Sequence, residues 1–297
     1  MWLLDPESDD GLPSAMYVEH RETNGEGELG PVVLIHGGGG QGTDWGTTPD
    51  GRPGWADLLE DRGHEVHVVD RPAHGRSPGR VPAPAALPLA ARVFAPGDRK
   101  DHTEWPGPGG IADPTVRTLA ISSSGLPAEL AEAQVIEARL LVSLLEQIGP
   151  AVVVAHSLGA CCAWLAAEAR PELITAVVAL EPAGPPYLDV TGTPLRLSDG
   201  ITAAPLRRNI SGDLAGLARV PVVVVEGAAS SMAPACAPVV AFLRAAGVSA
   251  DHLILTDHGV TGNGHGLQLE LNNEQVLDLV LEWLSTSAPA NRTGVQA

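Results

Sequence analysis

The chain has 297 residues, 44% hydrophobic and 18% charged, which suffices for one large buried core and is ordinary for one α/β domain. Its 36 acids against 18 bases leave a formal net charge of −18, and the longest basic cluster is the pair Arg207 and Arg208. That excludes nucleic acid as a partner, since polyanion binding needs clustered cations to displace counterions. No apolar run reaches a membrane span, the first residues carry no basic leader, and the three cysteines (Cys161, Cys162, Cys236) lack metal-ligand spacing. Reduced thiols in a cytoplasmic protein, with no metal and no membrane partner, are the expectation.

In chain order, a mixed apolar and polar piece around Met16 to Thr23 reads as antiparallel edge strand. From residue 31 onward short apolar runs alternate with helical patterns. PVVLI (31–35), EVHVVD (65–70), AVVVA (151–155), ITAVVAL (174–180), VPVVVVE (220–226) and HLILT (252–256) read as parallel strands. They lack apolar/polar alternation, as strands covered on both faces do. Helices are expected near 53–62, 128–148, 158–170, 234–247 and 273–285, so the order is βαβα and the fold class α/β, a mostly parallel sheet flanked by helices. The sharpest helix carries Leu130, Val135, Ile136, Leu140, Leu141, Leu144 and Leu145 at helical spacing and is closed by Gly149 and Pro150.

Between Ser77 and Leu126 prolines and glycines replace periodic runs, with Phe94 and Trp105 as isolated aromatics. A stretch that long without strong structure is usually functional, and its place ahead of the 151–155 strand suits a lid over a site, about 78–126. A second irregular stretch, 183–214, is expected to form the opposite wall, and 286–297 a disordered tail. One domain then spans 1–297.

The most informative stretch is AVVVAHSLG (151–159), an apolar strand ending at a serine with a glycine two residues later and a helix beyond. Such a strand-to-helix elbow projects the serine hydroxyl clear of the sheet and needs small neighbours; Ala155 stands where a first glycine is usual. Ser157 is the candidate nucleophile. A serine hydroxyl needs a histidine to take its proton and an acid to orient that histidine. His258 and His265 both follow the last strand; His265 is preferred because it lies in a glycine-bracketed loop leading into a helix. His156, beside the serine on a sharp turn, points elsewhere and lines the pocket or anchors the elbow. Glu181 and Glu226 each end a strand and keep the order serine, acid, histidine, and the residues alone leave both open. The glycine run after His36 lets backbone N–H groups approach a reacting carbonyl, so Gly38 N–H and Leu158 N–H, the latter at a helix N-terminus, are the expected oxyanion donors.

The elbow, HGGGG (36–40) and DRPAHGRSP (70–78) together resemble the α/β-hydrolase superfamily over nearly the whole chain. LEPAGPP, GNGHGLQLELNN and the segment from His36 to Gly79 resemble, more narrowly, the small bacterial esterase group related to esterase 713. The resemblance implies an α/β-hydrolase fold and a glutamate acid after the strand that follows the elbow helix, here Glu181, with His265 as its partner. The group's namesake carries a cysteine pair at the positions of Gly38 and Gly39; glycines here remove any disulfide and keep the backbone donors. The expected activity is cofactor-free hydrolysis of a small-molecule carboxylic ester or lactone. A non-hydrolytic enzyme of specialised metabolism and a ligand-binding sensor retaining the triad are the rivals, because fold does not fix function.

Overall fold

The computed structural model describes residues 1–5, 15–23, 25, 27–77, 86–127, 130–186, 195–196, 202–203 and 214–287. Strands β1 (Trp2–Leu4) and β2 (Ala15–Arg21) lead to β3 (Val32–Ile35), α1 (Trp55–Asp61) and β4 (Val66–Asp70). Helices α2 (Ala86–Phe94), α3 (Pro114–Ser122) and α4 (Leu130–Ile148) follow, then β5 (Ala151–His156), α5 (Gly159–Ala169) and β6 (Ile174–Leu180). A short ribbon, β7 (Leu195–Arg196) and β8 (Thr202–Ala203), precedes β9 (Val222–Glu226), α6 (Cys236–Ala245), β10 (Ala250–Ile254) and α7 (Asn273–Ser287).

Eight strands form one sheet in the order β1-β2-β4-β3-β5-β6-β9-β10. The β1–β2 and β2–β4 pairs are antiparallel, as the N-terminal piece suggested, and the rest are parallel. Helices cover both faces, which is why the strands read as unbroken apolar runs. Val33, Ile35, Val153 and Ala155 pack with α4, α5 and α6 on one face, whereas Val32, Leu34, Val152 and Val154 pack with α1 and α7 on the other. Leu140, Leu141, Leu144 and Leu145 of α4 are wholly buried, each contributing about 1.5–3 kcal/mol of transfer free energy. The strand that leads to Ser157 thus lies under a helix anchored by four buried leucines.

One expectation needs correction. The stretch from Ser77 to Leu126 is not irregular: α2 and α3 close around a small core of their own, with Ala90, Ala91, Ala95, Trp105, Val116 and Ala120 buried. Asp113 caps α3, its carboxylate accepting from Thr115 N–H while also taking Trp105 Nε1–H and Gly109 N–H, each at 2.8 Å. Residues 78–85 of this stretch, most of 183–214 (187–194, 197–201 and 204–213) and 288–297 of the expected tail lie outside the described residues. Helix α7 runs on to Ser287. Among the described residues no helix is long and apolar enough to cross a membrane.

Candidate active site

Strands β5 and β6 end in register, His156 opposite Leu180, and the next residue of each turns into left-handed backbone, Ser157 at φ 52° and Glu181 at φ 43°. Both are non-glycine residues in a region L side chains rarely adopt. The turn at Ser157 is held by its N–H on Leu180 O and by Ala183 N–H on its carbonyl. A Cβ at Gly159 would lie 2.5 Å from His36 O, so a glycine lets α5 begin directly against the end of β3. Ala155, where a first glycine is usual, is fully buried in β5 without disturbing the sheet.

The structure brings Glu181 and His265 together although 84 residues separate them: His265 Nδ1–H donates to Glu181 Oε2 at 2.6 Å, and both side chains are buried. Glu181 also accepts Gly227 N–H on Oε1 at 2.9 Å and Ser230 Oγ–H on Oε2 at 2.5 Å. Ser230 in turn accepts Met232 N–H, so its hydroxyl is aimed. Sequence reasoning missed Ser230, a lone serine in a loop. Burial pushes Glu181 up to about 8, against the lowering pull of Ser230 and Gly227, and pushes His265 down to about 3. Glu226 and His258 are placed apart from this pair. Glu226 Oε2 meets His252 Nε2 at 2.8 Å, and His258 is exposed at the end of a short 3-10 turn after β10.

His156 Nε2–H donates to His265 O at 2.9 Å, and the two rings lie 4.5 Å apart. It lines the cavity beside Ser157, one of its two expected places, and anchors the histidine loop rather than the elbow; burial holds its pKa well below the usual imidazole range. Phe94, at the end of α2, flanks the His265 ring at 5.6 Å.

The glycine turn is oriented by His36. Its Nε2 accepts Arg71 N–H at 3.0 Å, which leaves Nδ1–H to donate to Gly37 O at 2.8 Å; Gly40 N–H reaches the same carbonyl. In a trans peptide the N–H opposes the C=O, so Gly38 N–H is aimed away from these partners. Among the described residues neither Gly38 N–H nor Leu158 N–H has a backbone acceptor. Gly39, at φ 73°, fits where a Cβ would lie 2.9 Å from Ser124 O.

Gly38, Ser157, Leu158 and His265 line one cavity of about 410 Å³, whose other walls include Leu89, Val93, Phe94, Leu126 and Met232. Among the described residues no arginine or lysine lines it. Among the described residues one group has metal-ligand spacing, His20, Glu65 and His67, with ligand atoms within 4.8 Å. Glu65 Oε1 already meets both Nε2 atoms, at 2.8 and 3.0 Å, and the rings stack with planes 4° apart, so their in-plane lone pairs do not converge on one ion.

A family model described as the alpha/beta hydrolase fold matches residues 30–201. A protein from Fungal sp. (strain ATCC 74256) named probable secreted lipase phiG is 30% identical over 311 residues, spanning 91% of this chain and 85% of its own. A novel bacterial esterase of known structure superposes with a TM-score of 0.71 at 24% identity, covering 94% of this chain and 87% of that one. A thermophilic esterase from Thermogutta terrifontis, solved with malate bound, gives 0.55 at 14% identity, covering 97% and 100%.

Proposed function

The chain belongs to the α/β-hydrolase family, and from that premise we propose that it is a lipase- or esterase-like enzyme cleaving carboxylic esters or lactones through an acyl-enzyme. The observation that carries the reading is the buried 2.6 Å bond between His265 Nδ1 and Glu181, on the same cavity as a serine held in a strained elbow. Ser157 Oγ attacks the carbonyl carbon while His265 Nε2 takes its proton. Glu181 keeps the proton on Nδ1 and balances the imidazolium. Gly38 and Leu158 N–H groups meet the developing oxyanion, and the start of α5 adds its dipole. Collapse expels the alcohol, which takes the proton back from His265; water repeats the cycle on the acyl-enzyme. The chain's own residues complete each of these steps without a cofactor.

An apolar cavity of about 410 Å³ with no cation among its described lining residues, in a chain of net charge −18, favours an uncharged ester with an apolar acyl group. The buried cysteine thiols favour a reducing compartment, hence the cytoplasm; secretion is part of the fungal relative's name. The test is hydrolysis of p-nitrophenyl esters from acetate to decanoate, alongside labelling by a fluorophosphonate. Hydrolysis with stoichiometric labelling of Ser157 is expected. Labelling without hydrolysis points to a non-hydrolytic reaction, and small-molecule binding without labelling to a sensor; either overturns the proposal.

The competent form carries an ionised Glu181 and a neutral His265, which titrate as a pair. Because burial raises the carboxyl to about 8, the pair takes up a proton as pH falls through that value, and the imidazolium loses its counter-charge. A kcat/KM that climbs with pH and levels off above about 8 is expected. A profile already flat at pH 6 contradicts this assignment of the limb.

A further inference from the structure

The segment following α2 is joined to the histidine loop more closely than a pocket wall requires. Thr103 and Glu104 N–H both donate to Gly262 O at 3.1 Å, and Leu271 N–H donates to Glu104 O at 2.8 Å. Between these main-chain bonds sits a buried side-chain pair: His102 Nε2–H meets Glu270 Oε1 at 2.9 Å, with the two side chains 3% and 0% exposed. The same Oε1 accepts Gly264 N–H at 2.8 Å, and Oε2 accepts Asn263 Nδ2–H at 2.9 Å. Three donors thus satisfy one buried carboxylate, and two of them belong to the residues just ahead of His265. A Cβ at Gly264 would lie 2.5 Å from His102 Nε2, so the loop is packed against the ring as well as bonded through it. Asn263 O also accepts Ala229 N–H at 2.7 Å, connecting the cluster to the loop that supplies Gly227 and Ser230 to Glu181.

We propose that His102, acting through Glu270, is a positioning residue for His265, so that the α2–α3 insertion aligns the base as well as walling the cavity. The inference rests on the reading of His265 as the general base. Without His102 the Glu270 carboxylate loses one of three donors in a dry site and recruits another, which draws Gly264 out of place and tilts the imidazole. A small misplacement of a reacting group far from the bond being broken lowers the rate steeply, while the walls that bind substrate (Leu89, Val93, Leu126) stay put.

His102→Ala is expected to lower kcat on the best p-nitrophenyl ester by about 10- to 100-fold with KM within about twofold, and to broaden or erase the far-downfield proton resonance of His265 Nδ1–H. His102→Gln, which keeps a donor for Glu270, is expected to restore most of both. Glu270→Gln, similar in shape but unable to accept all three donors, is expected to match His102→Ala. An unchanged kcat in His102→Ala or Glu270→Gln, a rise in KM alone, or no rescue by a folded His102→Gln overturns the proposal. If the parent protein hydrolyses nothing, the reading of the function fails instead. The Nδ1–H resonance then still decides, since its persistence unaltered in His102→Ala shows that His102 does not position the ring.

Discussion

Ser157→Ala is expected to reduce ester turnover roughly a millionfold while the thermal midpoint stays where it was. The residue reaches its turn through backbone bonds, Ser157 N–H to Leu180 O and Ala183 N–H to Ser157 O, which alanine keeps. Alanine also occupies the same left-handed backbone with a Cβ no larger than serine's. The hydroxyl alone is lost, and with it the bond that forms the acyl-enzyme. Steady-state kinetics on the p-nitrophenyl series, with a melting curve beside it, checks both halves. A rate within tenfold of the parent removes Ser157 from the mechanism.

The second large effect separates the two glutamates. Glu181→Gln is expected to lower kcat by about ten-thousandfold, because an amide cannot accept Ser230 Oγ–H, Gly227 N–H and His265 Nδ1–H together, and an amide N–H facing the ring selects the wrong tautomer. Glu226→Gln is expected to cost only a few-fold, since Glu226 meets His252 at the β9–β10 edge and reaches Glu181 only as a neighbouring charge. The comparison is of kcat in the two variants above pH 8. A crippled Glu226→Gln beside an active Glu181→Gln reverses the assignment.

The sheet was legible because strands buried on both faces leave continuous apolar runs, and βαβ order needs no further information. The helices of the insertion are hidden in the sequence. In α2, Leu87, Ala90, Ala91 and Phe94 do hold helical spacing, but Pro88 and the alanines mask it, and the Asp113-Pro114 cap of α3 is one X-Pro pair among many in this stretch. Ser157, His265 and the glycine turn stood out through their spacing to strands and glycines. The choice between Glu181 and Glu226 was invisible in the residues, because each closes an apolar strand. Structure distinguishes them by backbone: Glu226 stays in the ladder opposite Ile254, whereas Glu181 leaves it at φ 43° and turns toward His265. Ser230 and the His102–Glu270 pair carried no signal at all, the latter joining positions 168 residues apart.

The paired left-handed exits at Ser157 and Glu181 bear on how this chain persists through generations of mutation. Each holds a side chain in a conformation that disfavours it by about 1–2 kcal/mol, a sizeable share of the roughly 5–15 kcal/mol by which a domain is stable. Glycine at either position relaxes that strain, so drift under selection for folding alone runs toward a sturdier protein with neither residue. This chain carries serine and glutamate at those two turns, so strained backbone coincides with its reactive side chains and not with glycines.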